Sequence, residues 1–281
     1  MLLVWAKGMV FARTNHLPLV VSSWWGLHWG ALARRERKPR LYIGYFRETP
    51  LIKRIAIRVD ILFRKVIAEP PLREIENKRD DHAIFLFTKV ITNEDLFFGL
   101  RDHRELIVSE LYGMLSLKMK RQLDTYSASA IGVHIRRGDF KLGNQTTPLE
   151  YFINAINLIR HTLDENLPVT VFTDADSTEI SELLELPNIT LAENKPDILD
   201  ILLLSKSEIM ILSRSSTFGY WAAFLSDALV IRPHNDWQHI IKKSEAGAAY
   251  REVKWDYTDE YSNRLLAEAI NHGPTPLASN I

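Results

Sequence analysis

The chain contains no cysteine. That absence removes disulfides, thiolate-held metals and a cysteine nucleophile, and leaves no sign of an oxidising compartment. No run of about eighteen uncharged apolar residues occurs, the length that a membrane-crossing helix requires. Neither sign of charge is in excess: 35 Lys+Arg stand against 35 Asp+Glu, a formal net charge of +0. A balanced chain advertises no general affinity for nucleic acid or for an acidic membrane. Internal repeats and low-complexity tracts are missing as well. The opening Met1-Leu2-Leu3-Val4-Trp5-Ala6 is interrupted by Lys7, Arg13 and His16. It lacks the basic start, long apolar middle and small-residue cleavage site of a leader, and reads as the first turn of an amphipathic helix.

What is present is ordinary in bulk and uneven in pattern. With 281 residues, 46% hydrophobic and 25% charged, the chain can form one large or two medium domains with sizeable cores. Residues 1–125 are irregular. A helix is expected over Leu2 to Thr14, strands over Leu17 to Ser22, Leu41 to Phe46 and Ala83 to Val90, and a helix over Asp95 to Gln122. Ile107, Leu111, Met114 and Leu115 have core-facing spacing in that last helix. Between these lie the aromatic cluster Trp24-Trp25-Gly26-Leu27-His28-Trp29 and the basic run Arg34-Arg35-Glu36-Arg37-Lys38-Pro39-Arg40. The basic run suits a solvated loop, and lipid headgroups or an anionic acceptor are the sharper alternatives.

From Ala128 the pattern becomes regular. Strands are expected at Ala128–Ile135, Val169–Thr173, Ile189–Leu191, Ile209–Leu212 and Leu229–Arg232. Helices fall between them: one opened by Thr147-Pro148-Leu149-Glu150, a capping-box pattern with proline at the first helical position, then Thr178–Leu186, Asp197–Lys206 and Thr217–Leu225. Short apolar strands alternating with helices imply a doubly wound parallel sheet. A further helix is expected over Asp256 to Ile270, followed by a loose tail from Gly273. The expected organisation is a first domain over 1–125, a nucleotide-sugar domain over 126–240, and a C-terminal helix and tail over 241–281.

In an open α/β sheet, ligands bind beyond the carboxyl ends of the strands where strand order reverses. Three expected strands end in clustered polar chemistry. The first ends in His134-Ile135-Arg136-Arg137-Gly138-Asp139-Phe140, the second in Thr173-Asp174-Ala175-Asp176, and the fourth in Ser213-Arg214-Ser215-Ser216-Thr217-Phe218. In the usual order these strands are neighbours, so the clusters line one crevice. Paired guanidiniums beside a glycine suit a diphosphate, because each presents planar, paired donors to phosphate oxygens. Ser215 and Ser216 stand where a helix begins, and a helix amino terminus attracts anions. Simple N-capping explains the serines too. Asp176 and Glu179 have capping-box spacing, whereas Asp174 is free to accept hydrogen bonds from a guanine edge. His134 either stays neutral in a packed site or hydrogen-bonds a nucleotide. Arg137-Gly138-Asp139 as an adhesion signal is a poor third reading, since it falls at a strand end inside a folded core.

These residues also carry a family resemblance. His134–Phe140 matches H-x-R-R-G-D-(F/Y), which resembles the first motif of the α1,2-fucosyltransferases and their α1,6- and protein O-fucosyltransferase relatives. Asp197 to Ser205, followed by Ser215-Ser216-Thr217-Phe218-Gly219-Tyr220-Trp221-Ala222-Ala223, resembles the second α1,2 signature. The resemblance is close over about 130–232 and looser before it. It implies a GT-B-like α/β architecture of two Rossmann-like domains, and inverting transfer of L-fucose from GDP-β-L-fucose to a galactoside hydroxyl, α1,2-linked. No metal and no cofactor beyond the donor are implied. By the resemblance, Arg136 holds the donor β-phosphate and Arg137 orients neighbouring carboxylates. His134, Ser215, Ser216, Thr217 and Phe218 complete the donor site, and Asp174 touches the base. Asp139 is a candidate catalytic helper beside Arg136, with partner of Arg137 as its other role. The family's glycine-rich G-x-G-N-Q loop, which precedes a helix like Leu2–Thr14, falls almost at Met1. The expectation is therefore a first domain lacking its first strand, and weak transfer.

Two other readings stay open. Asp174-Ala175-Asp176 is a D-x-D sequence, which in a metal-dependent nucleotide-sugar transferase chelates a divalent ion. A catalytically impaired GDP-sugar-binding relic is the non-enzyme alternative. The expected acceptor is an oligosaccharide or polysaccharide ending in galactose, in polysaccharide biosynthesis at the cytoplasmic face of a membrane with peripheral contact, and no nucleic acid is involved.

Overall fold

The computed structural model describes residues 2–21, 44–47, 50–72, 83–89, 95–138, 146–193, 197–243 and 252–271. The chain divides into two units, Met1–Asp124 and Thr125–Ile281. The aromatic cluster at 24–29, the basic run at 34–40 and the tail from 273 lie outside the described residues.

The first unit opens with helix α1 (Leu2–Thr14), as the sequence predicts, but it is not amphipathic: nine consecutive-to-nearly-consecutive positions from Leu3 to Ala12 are buried, Lys7 among them. The Lys7 ammonium is satisfied by Glu69 at 2.9 Å and by the Lys89 carbonyl at 3.2 Å. Glu69 also accepts the backbone N–H groups of Thr88 (2.5 Å) and Lys89 (2.6 Å). Burial pushes the Glu69 carboxyl up, but those amides and the Lys7 charge together hold it down at about 2,. Helix α2 (Leu51–Phe63) and strand β1 (Val66–Ala68), neither anticipated, follow, and β1 pairs in parallel with β2 (Ile84–Leu86). Phe11 of α1 packs on Phe85 and Phe87 at 4.9 and 5.4 Å.

Three expectations in this unit fail for identifiable reasons. No strand forms over 17–21. Instead His16 adopts φ 55, and the Leu17 N–H returns to the Ala12 carbonyl at 2.8 Å. That pattern closes the end of α1 as a Schellman-type cap with histidine in the place usually given to glycine. The long helix over Asp95–Gln122 is a turn, a short 3-10 segment, α3 (Arg104–Met114) and α4 (Leu117–Asp124). It breaks at Leu115, which forms an antiparallel bridge with Phe46. The Arg47 N–H bonds to the Met114 carbonyl and the Ser116 N–H to the Tyr45 carbonyl, at 2.8 and 2.9 Å. Those cross-chain bonds replace helical ones. Of the expected strand at 41–46, the described part is a turn ending in that single bridge.

The second unit is regular. Strands β3 (Ile131–Ile135), β4 (Val169–Thr173), β5 (Ile189–Leu191), β6 (Ile209–Leu212), β7 (Leu229–Pro233) and β8 (Glu252–Trp255) form one sheet in the order β5-β4-β3-β6-β7-β8. Every pairing is parallel. Strand β8 was not anticipated; four residues with partial burial give little periodic signal. Strands β3, β6 and β7 are buried along their whole length, as they must be when helices cover both faces. On one face Ile131, Val133 and Ile135 pack under α5 (Leu149–Thr162) and α9 (Glu260–Asn271) through Phe152, Ile156, Leu266 and Ile270. The alternate residues Gly132 and His134 face the other way, toward α7 (Asp197–Leu204) and α8 (Thr217–Leu225). The helix expected from Thr178 is a 3-10 turn, Ser177–Ile180, running into α6 (Ser181–Leu184).

Gly132 shows how tightly that second face is closed. A Cβ there would lie 2.3 Å from Ser207 Oγ and 2.7 Å from Leu204 Cδ1. Overpacking of this kind costs about 1–3 kcal/mol. Gly132→Ala is therefore expected to lower the thermal midpoint by several degrees, followed by circular dichroism, and an unchanged midpoint would contradict this packing.

Candidate functional site

The observed order places β3 between β4 and β6, so the carboxyl ends of these three strands come together at the reversal of strand order. Their junction is tied by side chains. Ser213, the residue after β6, donates its hydroxyl to the His134 carbonyl at 3.1 Å and accepts the Arg136 N–H at 2.8 Å. On the other side Thr173 donates its hydroxyl to the Ile135 carbonyl at 2.8 Å. The loop after β3 is thus held on both flanks before its arginines begin.

Asp174 fixes the next step of that loop. Its Oδ1 accepts the Arg137 N–H at 2.7 Å, and its Oδ2 accepts Nη1 of Arg136. Gly138 permits this approach: a Cβ at 138 would stand 2.5 Å from the same Oδ2. Arg136 remains partly open, with about a quarter of its side chain accessible. The Arg137 guanidinium turns to the Thr147 carbonyl at 2.7 Å. Asp139, the candidate catalytic helper, lies outside the described residues.

Thr147 is placed differently from the expected capping box. The N-cap of α5 is Pro148, with no side-chain cap bond. The Thr147 hydroxyl instead accepts the Arg214 N–H at 2.9 Å. Through its two oxygens Thr147 therefore joins the loop after β3 to the loop after β6, a tertiary demand that outweighs local capping. Asp176 is the N-cap residue of the 3-10 turn but makes no side-chain cap bond. The box with Glu179 reduces to a backbone bond from the Glu179 N–H to the Asp176 carbonyl at 2.9 Å.

The loop after β6 carries Ser215 at φ 59, a left-handed conformation that costs a residue with a Cβ about 1–2 kcal/mol. Ser216 is the N-cap of α8, in extended conformation and without a side-chain cap bond. Thr217 is exposed on the first turn, and Phe218 beside it is half-buried. Phe218 stacks on His134, with ring centroids 4.7 Å apart and planes 13° from parallel. Beneath the pair, a Cβ on Gly219 would lie 3.2 Å from His134 Nδ1, so the helix sits directly against the imidazole. Arg214 Nε is buried without a hydrogen-bond partner.

One part of the site escaped the sequence reading altogether. Asp236, buried after β7, accepts the Ser215 N–H at 3.1 Å and the Tyr220 hydroxyl on Oδ1, and Arg232 Nη1 at 2.6 Å on Oδ2. Arg232 is itself buried, and it also donates to Glu252 and to the carbonyls of Gln238 and His239. Burial, and then the neighbouring Asp236 charge, push the Tyr220 hydroxyl well above the usual tyrosine range. The lone hint in the sequence was an arginine at the end of an otherwise apolar strand.

His134, on β3, is buried against α8. Burial, and secondarily the Arg136 charge, hold its imidazole down at about 3,. The neutral, packed alternative is the one the geometry favours. An unfolded histidine titrates near 6.5, so between about 3 and 6.5 the unfolded chain binds the extra proton. Stability from this group is complete above that window and is lost as pH falls through it. Between pH 6.5 and 5 the loss is on the order of 2 kcal/mol. Urea unfolding at the two pH values should show that loss in the wild type and a smaller one in His134→Phe; equal losses would contradict the assignment.

Among the described residues, no group of three or more His, Asp or Glu side chains converges as a metal site would require, and no helix is long and apolar enough to cross a membrane. None of the curated proteins matches the chain. Among solved structures it is similar to NodZ α1,6-fucosyltransferase soaked with GDP-fucose, at 18% identity and a TM-score of 0.36. A second crystal structure of that enzyme, co-crystallised with GDP, gives 17% and 0.37. In both, 64% of this chain is covered and the match spans 61% of the other. The model of glycosyl transferase family 11 matches residues 80–259, well over half of the chain and all of the crevice built by β3, β4 and β6. On that match, this chain belongs to glycosyl transferase family 11.

Proposed function

We propose that the protein transfers L-fucose from GDP-β-L-fucose to a galactoside hydroxyl, with inversion, in α1,2 linkage and without a metal ion. The observation that carries the reading is the convergence of a partly open Arg136 with the amino terminus of α8 at the switch point of a parallel sheet. Such a terminus offers N–H groups and a favourable dipole to an anion, and a guanidinium adds paired donors. Family membership supports the reaction class. The two motifs, H-x-R-R-G-D-F from His134 and S-T-F-G-Y-W-A-A from Ser216, support fucose as the sugar.

The chemistry follows from where charge develops. As the bond between fucose and the diphosphate breaks, the ring gains oxocarbenium character and GDP gains negative charge. Arg136, with Ser215, Ser216 and Thr217 at the helix terminus, stabilises that leaving group electrostatically. The acceptor oxygen attacks from the opposite face and inverts the anomeric carbon. Phe218 and His134 form the apolar floor of the donor site, and Arg137 holds the loop to Thr147. In this reading Asp174 both orients Arg136 and reaches the base edge. The Arg136 guanidinium already faces its carboxylate, which supports the metal-independent route over a D-x-D chelate. The GT-B arrangement of two Rossmann-like domains, the galactose-ended glycan acceptor, the role in polysaccharide biosynthesis, and peripheral attachment at the cytoplasmic face of a membrane belong to the same proposal.

Calorimetry with GDP and a chelator present tests the core of it. Arg136→Ala should weaken binding about ten- to a hundredfold, since a charge-assisted bond contributes roughly 1.5–3 kcal/mol. Arg136→Lys should recover only part, because lysine keeps the charge and loses the paired donors. Unchanged affinity in Arg136→Ala would remove the phosphate assignment.

A second experiment separates the metal-dependent reading. Asp176→Asn should leave fucose transfer and its indifference to chelator unaltered. Loss of a manganese-dependent transfer in that variant would establish the D-x-D chemistry instead.

A further inference from the structure

We infer that Asp236 is a positioning residue for the donor diphosphate, acting through Ser215 to set the amino terminus of α8; this rests on the donor-site reading above. The carboxylate is fully enclosed and works in two directions. Its Oδ2 is anchored to Arg232, at the end of β7, at 2.6 Å. Its Oδ1 grips the start of α8 at two points, the Ser215 N–H (3.1 Å) just before the helix and the Tyr220 hydroxyl one turn inside it. The first of these points is the strained one. Ser215 sits at φ 59, and a residue with a side chain stays in that region only when its surroundings hold it there. The bond from its N–H to Asp236 supplies the hold.

The charge arrangement fits the same role. A bare carboxylate beneath a helix amino terminus would repel a bound phosphate and cancel the favourable end of the dipole. Here Asp236 and Glu252 are faced by the guanidinium of Arg232, which donates to both. Lys254 adds a second cation and donates to the Asp236 carbonyl at 2.6 Å. The Arg232 guanidinium thus offsets the Asp236 carboxylate beneath the helix, and the helix N–H groups keep their attraction for an anion on the crevice side. The Glu252 carboxylate also accepts the Ile241 N–H, at 3.0 and 2.9 Å on its two oxygens. Strand β8 and the loop after β7 are thereby fastened to the donor site, which gives the sheet's last strand a part in it.

A double-mutant cycle on the full chain, read by GDP calorimetry and by thermal midpoint together, tests the inference. Asp236→Asn alone is expected to weaken GDP about tenfold. Made together with Ser215→Gly, the same change should cost less than about threefold, because glycine adopts φ near 59° at no steric cost and leaves no strain for the anchor to offset. The drop in thermal midpoint caused by Asp236→Asn should be equal in both settings. Equal affinity losses in the two settings, or no loss in either, would reduce Asp236 to a structural residue and overturn the inference. Should Asp236→Asn not fold, Tyr220→Phe removes a bond on the same oxygen. It should give a smaller loss that Ser215→Gly again suppresses, and a loss indifferent to Ser215→Gly overturns the inference equally. A wild type that binds no GDP overturns the donor-site reading and this inference with it, whereas binding that ignores the cycle overturns the inference alone.

Discussion

The central constraint is that β3 has parallel neighbours on both sides. Strand order reverses there, and the chain leaves β3, β4 and β6 at the same edge of the sheet. The polar ties at the ends of β3, β4 and β6 follow from that. Ser213 and Thr173 can reach the carbonyls of His134 and Ile135 only because their strands flank β3. Asp174 can hold the arginine loop only because β4 ends in register with it, Ile135 opposite Thr173. Reorder the strands and the Arg136 N–H no longer reaches Ser213 in the loop that leads into α8.

Around that constraint the molecule uses polar groups as ties rather than as reactive centres. Thr147 joins two loops, Asp174 fixes a third contact, and Asp236 with Arg232 underpins the helix. Both oxygens of the Asp236 carboxylate are paired inside the protein, which keeps a buried polar group from being a liability. Their common effect is preorganisation. Donors aimed at a developing charge stabilise it most when they need not move as it forms. In the reaction proposed above the charge to be met is that of the departing nucleotide, and Arg136 is a partly open cation at the carboxyl end of β3.

The second unit was largely legible in the sequence because its signals are local. Val169–Thr173, Ile189–Leu191, Ile209–Leu212 and Thr217–Leu225 are apolar runs bounded by polar or turn residues, and each forms where the pattern places it. Neighbouring polar strand ends then converge through a general rule of parallel sheets. What failed was tertiary competition for local groups. Thr147 has the pattern of a helix cap, yet its hydroxyl serves Arg214 sixty-seven positions away. Leu115 has helical spacing, yet Phe46 and its neighbours draw it into a bridge. Asp236 lies in a loop without periodicity, and its partners Ser215, Tyr220 and Arg232 are scattered over two elements. No sequence window contains that arrangement. In the first unit, the ion pair of Lys7 with Glu69 spans sixty-two positions and was equally invisible.

The most direct measurement is a crystal structure of the chain with GDP, grown with a chelator present. The diphosphate is expected at the carboxyl edge of β3 and β6, with a β-phosphate oxygen about 3 Å from the Arg136 guanidinium and a second within reach of the first N–H groups of α8. A nucleotide seated away from Arg136, or a diphosphate held through a cation on Asp174 and Asp176, would contradict it.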